Sequence, residues 1–70
     1  MFNVCYKVKN GNTFLAYVSY NSLENLTKEI ETLNREKPEK DACWNVIDWN
    51  NVVEYFISGV NTWVNAGGLD

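Results

Sequence analysis

Histidine is missing from all 70 residues of the chain. Its absence removes the commonest general base, the Ser-His and Cys-His nucleophile pairs and most zinc sites. The two cysteines, Cys5 and Cys43, are too far apart for a CxxC motif and supply at most half of a structural zinc site. No glycine-rich phosphate loop is present: Asn10-Gly11-Asn12 reads as a hairpin turn and Gly67-Gly68 as a helix stop. Asp41 and Asp48 stand seven positions apart without the rest of a calcium loop. These absences predict a protein that is not an enzyme and that carries no cofactor and no metal.

Two further absences bound where the chain acts. No apolar run reaches the roughly 18 residues that a membrane-spanning helix needs. The first ten residues, MFNVCYKVKN, alternate in polarity and lack the basic-then-apolar layout of a signal peptide. A single cytoplasmic domain covering residues 1–70 is expected, with no membrane contact. A domain of this size buries about 60% of its unfolded surface, enough for one thin core.

Bases are absent from residues 41–70, which hold Asp41, Asp48, Glu54 and Asp70. Residues 1–21 carry Lys7 and Lys9 and no acid, so a net charge of −3 is divided unevenly along the chain. A base-free second half argues against direct nucleic-acid binding, which uses clustered Lys and Arg. It suits a basic protein partner. Asparagine occupies eleven positions, a composition found in AT-rich coding sequences.

What is present is periodic. Residues 2–9 and 13–20 alternate as two strands around Asn10-Gly11. A three-residue loop, Lys9–Gly11, pairs Val8 with Asn12, Tyr6 with Phe14 and Val4 with Ala16. That register collects Phe2, Val4, Tyr6, Phe14, Ala16 and Val18 on one face and gives Gly11 the left-handed position of a bulged turn. A helix follows, capped by Asn21 or Ser22, with Leu23, Leu26, Ile30 and Leu33 as its apolar stripe. Glu24–Lys28 and Glu31–Arg35 have favourable i,i+4 spacing, and Pro38 ends the helix near Lys37.

The second half carries all three tryptophans. Residues 42–47 read as a third strand. Trp49, Val52, Val53, Phe56, Val60, Trp63 and Val64 fall on one face of a second helix that runs to about Asn65, with Gly59 inside it as a mark of close approach. Trp49 and Trp63 are thereby assigned to the core. The predicted fold is α+β in the order ββαβα. It has a three-stranded antiparallel sheet of order 2-1-3, with both helices on one face. The alternative is a hairpin with two helices, the last starting near Asp41. Cys5 and Cys43 would both point to the uncovered face, as reduced thiols.

Two surfaces are candidates for partner binding. Leu15 and Tyr17 lie on the predicted open sheet face. Glu54, with Tyr55 beside it, lies on the polar side of the predicted last helix; Asp48, a candidate cap of that helix, and Asp41, at the end of the charged loop before the third strand, are further acids of the base-free half. Small size, an acidic second half and missing catalytic side chains are also the style of phage-type inhibitors of a host protein. The function expected is therefore a non-enzymatic protein-binding module of that kind. A structural homo-oligomer built on the open sheet face is the alternative, with a homodimer as its simplest form. A small-ligand or nucleotide binder is the third reading.

Overall fold

A computed structural model describes residues 1–60 of the chain. Strands β1 (Phe2–Val8) and β2 (Thr13–Ser19) are followed by helix α1 (Leu23–Glu36) and strand β3 (Val52–Val60). The three strands form one antiparallel sheet of order β2-β1-β3. The α+β class and the 2-1-3 order are as predicted, but β3 is made from different residues. The expected strand at 42–47 is a loop with one isolated bridge, Lys40–Val46. The expected second helix is replaced through Val60 by β3, so one helix, not two, covers the sheet among the described residues. The rest of that predicted helix, with Trp63 and the Gly67-Gly68 stop, lies outside the described residues.

The reason is in the residues and in the pairing. Val52–Val60 is rich in Val, Tyr, Phe and Ile, which suit a pleated surface better than a helix. Two register shifts interrupt its pairing with β1, one between Lys7 and Val8 and one between Phe2 and Val4. Each bulge inserts an extra residue and inverts the alternation beyond it. The side chains packed inward are therefore Val52, Tyr55 and Ile57. An irregular strand of this kind imitates helical spacing. Gly59 sits in the second shift with φ +105°, and among the described residues nothing lies within 4 Å of where a Cβ would be. It serves a left-handed bulge position and not a close approach.

The hairpin between β1 and β2 has the predicted turn. Val8 N–H donates to the Asn12 carbonyl at 2.9 Å, Gly11 N–H donates to the Val8 carbonyl at 2.9 Å, and Gly11 has φ +93°. Tyr6 pairs with Phe14 as expected. Beyond Leu15 a bulge intervenes, so Val4 pairs with Tyr17 and Phe2 with Ser19. Tyr17 and Ser19 are thus turned to the covered face, and Val18 leaves it.

Helix α1 is capped by Ser22, whose Oγ accepts from Asn25 N–H at 3.3 Å. Leu26, Ile30 and Leu33 are buried against Val4, Ile47, Val52 and Tyr55 to form the core. Leu23, the first residue of the predicted stripe, stays exposed. The helix ends on Lys37 in a left-handed conformation (φ 48°), whose N–H donates to Leu33 O, and Pro38 follows. Of the two expected ion pairs, Glu24–Lys28 forms at 3.7 Å, while Arg35 lies 3.9 Å from Glu36 instead of Glu31. Both pairs are solvent-exposed and contribute little. No helix among the described residues is long and apolar enough to cross a membrane.

The helix is tied to the sheet edge by one side chain. Asn34 Nδ2 donates to the Tyr55 carbonyl at 2.7 Å, and Asn34 Oδ1 accepts from Tyr55 N–H at 2.8 Å. The amide thus occupies the place that a neighbouring strand would take on the outer edge of β3. Substituting Asn34→Leu strands both backbone groups. It is expected to cost about 1–3 kcal/mol of stability, read from urea denaturation midpoints.

Candidate functional site

Residues 38–49 leave the helix and return to the sheet as a closed loop. Trp49 Nε1–H donates to the Pro38 carbonyl at 2.6 Å, Ile47 N–H to the Glu39 carbonyl at 2.9 Å, and Asp41 N–H to the Asn45 carbonyl at 3.0 Å. Asp41 organises the tip. Its Oδ1 accepts from Cys43 N–H at 2.8 Å and from Asn45 N–H at 3.0 Å, and its carbonyl accepts from Trp44 N–H at 3.0 Å. Such Asx geometry holds a turn that a plain backbone would not keep. Asp41 is only 6% exposed, and its Oδ2 is buried with no hydrogen-bond partner among the described residues.

The tip carries Trp44 at φ +63°, left-handed backbone that bulky residues avoid, and the side chain is 78% exposed. Lys40 Nζ lies 5.6 Å from its ring centroid. Val46 beside it is also exposed. The loop then turns into β3 at Asp48, whose Oδ1 accepts from Asn50 N–H and whose carbonyl accepts from Asn51 and Val52 N–H. Asp48 caps a turn and not the helix expected there.

Between this loop and the sheet lies a pocket of about 370 Å³. Its floor is a row of rings laid across the strands in register. Phe14, Tyr6 and Tyr55 are cross-strand neighbours, with centroids 5.6 and 5.5 Å apart, and Trp49, outside the pocket itself, packs 5.7 Å from Tyr55. Tyr6 and Tyr55 are stacked and the other two pairs are tilted, and aromatic pairs of either kind add to the burial energy of each ring. The opposite wall holds Asp41, Asn45, Val46, Ile47 and Asp48. Among the described residues no Lys or Arg lines it.

Of the six residues predicted to bind a partner, Asp41, Asp48 and Tyr55 line this one pocket, and Leu15 borders it from the strand edge while pairing with Cys5 on the opposite sheet face, where it was expected. They meet for reasons other than those expected, since Tyr55 is an inward residue of β3 and not the flank of a helix. Tyr17 is not on the open face: the bulge turns it inward, where its hydroxyl donates to Glu29 at 2.8 Å. Glu54 is exposed on β3 opposite Lys7, away from the pocket, and no helix presents it. Cys43 sits exposed in the loop, not on a strand, and both cysteines are free. Tyr6, Phe14 and Trp44 belong to the site and were assigned elsewhere by pattern. The Tyr6–Phe14 pairing in the predicted hairpin register was the available signal for the first two. Compared with protein-family models, with curated proteins and with solved structures, the chain matches none.

Negative charge dominates the electrostatics of this region. Burial first, then the charge of Asp41 and the neighbouring Tyr6, push the Tyr55 hydroxyl up to about 12. Tyr17 is raised further, by burial, by its hydrogen bond to Glu29, and by the charges of Glu29, Asp41 and Cys43. Desolvation and the carboxylates of Asp41 and Glu29 also raise the Cys43 thiol, which disfavours the nucleophilic thiolate. For both tyrosines the folded state keeps a proton that the unfolded state has lost above pH 10. Their contribution to stability is therefore complete below pH 10 and is lost as pH rises toward and through the folded values. The urea midpoint should fall between pH 10 and about 12, and Tyr17→Phe and Tyr55→Phe should each flatten that slope.

Proposed function

We propose that this chain is a non-enzymatic protein-binding module that grips a basic partner through the loop from Lys40 to Asp48 and the pocket beside it. Trp44 carries the reading. A tryptophan held almost fully in water, in a left-handed conformation unfavourable to it, contributes nothing to the core. Tryptophan is also among the residues that dominate binding energy at interfaces. Exposed Val46 adjoins it, and Asp41 and Asp48 supply negative charge. The loop is held by its own hydrogen bonds, so little ordering cost is left for the moment of binding. Acting as an inhibitor, by masking a basic surface of its target, is the use that this arrangement suits.

A homo-oligomer remains the second reading, favoured by the sheet face that α1 does not cover. Leu15 there is 59% exposed, and Cys5 and Phe56 continue its row across the sheet. A nucleotide binder is disfavoured, because carboxylates in the pocket wall repel phosphates.

The partner reading is tested with Trp44→Gly. Glycine accepts the positive φ without strain, so stability should stay within about 1 kcal/mol of wild type while the aromatic contact is lost. Capture of a partner from host lysate should be salt-sensitive and should drop at least tenfold with Trp44→Gly or Asp48→Lys. Capture indifferent to both substitutions overturns this surface. In sedimentation, a monomer at all concentrations retires the oligomer.

A further inference from the structure

We propose that two copies of this chain join along the outer edge of β2, paired antiparallel about a two-fold axis at Phe14, so that their two sheets become one. This interface does not rest on the partner loop. It also differs from a stacking of open sheet faces, because backbone hydrogen bonds hold it.

The two edges of the sheet are not alike. The outer edge of β3 is closed at Tyr55 by the Asn34 amide, and the neighbouring Glu54 carries a charge. The other edge is β2. Val8 N–H donates to the Asn12 carbonyl, and Tyr6 pairs with Phe14. By the alternation of an antiparallel ladder, Phe14 then bonds to β1, while Thr13 and Leu15 turn their N–H and C=O groups outward. Among the described residues no other backbone group bonds them. An unpaired edge is a template for a further strand, and natural edges are guarded by charge, by proline or by a bulge. β2 has neither charge nor proline. Its bulge lies between Leu15 and Tyr17, so it bends the strand beyond Leu15 and confines the pairing to the stretch before it.

Charge selects the occupant. Residues 10–23 contain no Lys, Arg, Asp or Glu, in a chain of net charge −3. Two copies therefore meet here without opposing like charges, and nothing on this edge recognises a basic partner. The same stretch holds Phe14, Leu15, Tyr20 and Leu23, four of the seven large apolar side chains exposed among the described residues, so pairing also removes apolar surface from water. With the axis at Phe14, Thr13 of each copy faces Leu15 of the other, and each such pair exchanges both backbone bonds. The two Phe14 rings stand directly opposite, in the non-hydrogen-bonded position where side chains approach closest. Such an interface is self-complementary and uses up both β2 edges. Asn34 already closes β3 at Tyr55 in each copy, so assembly stops at two chains.

The test uses the full chain. In sedimentation the wild type should show a reversible monomer–dimer equilibrium. In nitrogen-15 spectra the exchange of the Thr13 and Leu15 amides with solvent should slow at least tenfold as the dimer fills. Two double variants then probe the register: Thr13→Lys with Leu15→Lys, and Thr13→Glu with Leu15→Glu. Both positions are exposed, so the fold should be kept. Each double variant alone opposes like charges and should dimerise at least tenfold more weakly than wild type. An equimolar mixture of the two opposes unlike charges and should recover the dimer. The amide measurement on the wild type decides the matter even if a double variant does not fold. A wild type that stays monomeric overturns the proposal, including one whose Thr13 and Leu15 amides are already protected by residues 61–70 of its own chain. A dimer in which those two amides exchange as fast as in the monomer also overturns it, since the open faces then make the contact.

Discussion

The two hydrogen bonds between Asn34 and the backbone of Tyr55 set how the helix meets β3 and the loop before it. An edge strand has unpaired N–H and C=O groups, and burying them unsatisfied is costly. The Asn34 amide satisfies one of each and so fixes the last turns of α1 over β3. Leu33, one residue away, is thereby held against Tyr55 and Val52 in the core. Three residues later Lys37 closes the helix, and the Pro38 carbonyl accepts from the Trp49 indole. The loop between Pro38 and Trp49 therefore begins and ends at points determined by the packing of α1 on the sheet. Tyr55 itself forms part of the pocket floor, so one residue couples the edge bond, the core and the site.

The first half of the fold was legible because its signals are local. Asn10-Gly11 carries its own turn geometry, and Ser22 and Pro38 bracket a stripe of Leu and Ile at helical spacing. The second half was not legible, because bulges break the rule that reading depends on. Val52, Tyr55 and Ile57 face inward at spacings of three and two. A strict strand pattern would have required spacings of two throughout. The bulge near Ala16 did the same to Tyr17 on a smaller scale: the correct turn still led to the wrong face beyond it. Bulges follow from pairing across strands, which periodicity along a single strand does not encode. Sheet order was recoverable despite this. A helix that crosses back over the hairpin leaves β1 as the available neighbour whichever residues form the third strand.

The site was legible in its charge and not in its shape. Asp41 and Asp48 stood out as acids in a base-free segment, and both line the pocket. Asp41, however, read as the end of an exposed charged loop and Asp48 as a helix cap on the far side of a strand, and the loop that brings them to the aromatic row depends on contacts from Glu39 to Ile47 and from Pro38 to Trp49. Trp44 reads as part of a strand because Trp-Asn-Val-Ile is poor in strong helix formers and a two-stranded hairpin alone is marginal. What overrides that preference is its neighbour three residues earlier. The carboxylate of Asp41 organises the turn, and the turn places Trp44 at positive φ and in water.

The same carboxylate raises the question of why position 41 carries a charge at all. Its structural task is done by Oδ1, which accepts from Cys43 and Asn45. An asparagine oxygen performs that task as well, and asparagine is abundant in this chain. An ionised carboxylate in the same place adds a desolvation cost, because Oδ2 is buried without a partner among the described residues. Local folding alone thus favours the amide over the acid. Among the described neighbours Asp48 and Glu29 add negative charge, while Lys28 and Lys40 border the hollow between Asp41 and α1 and offset part of it through space.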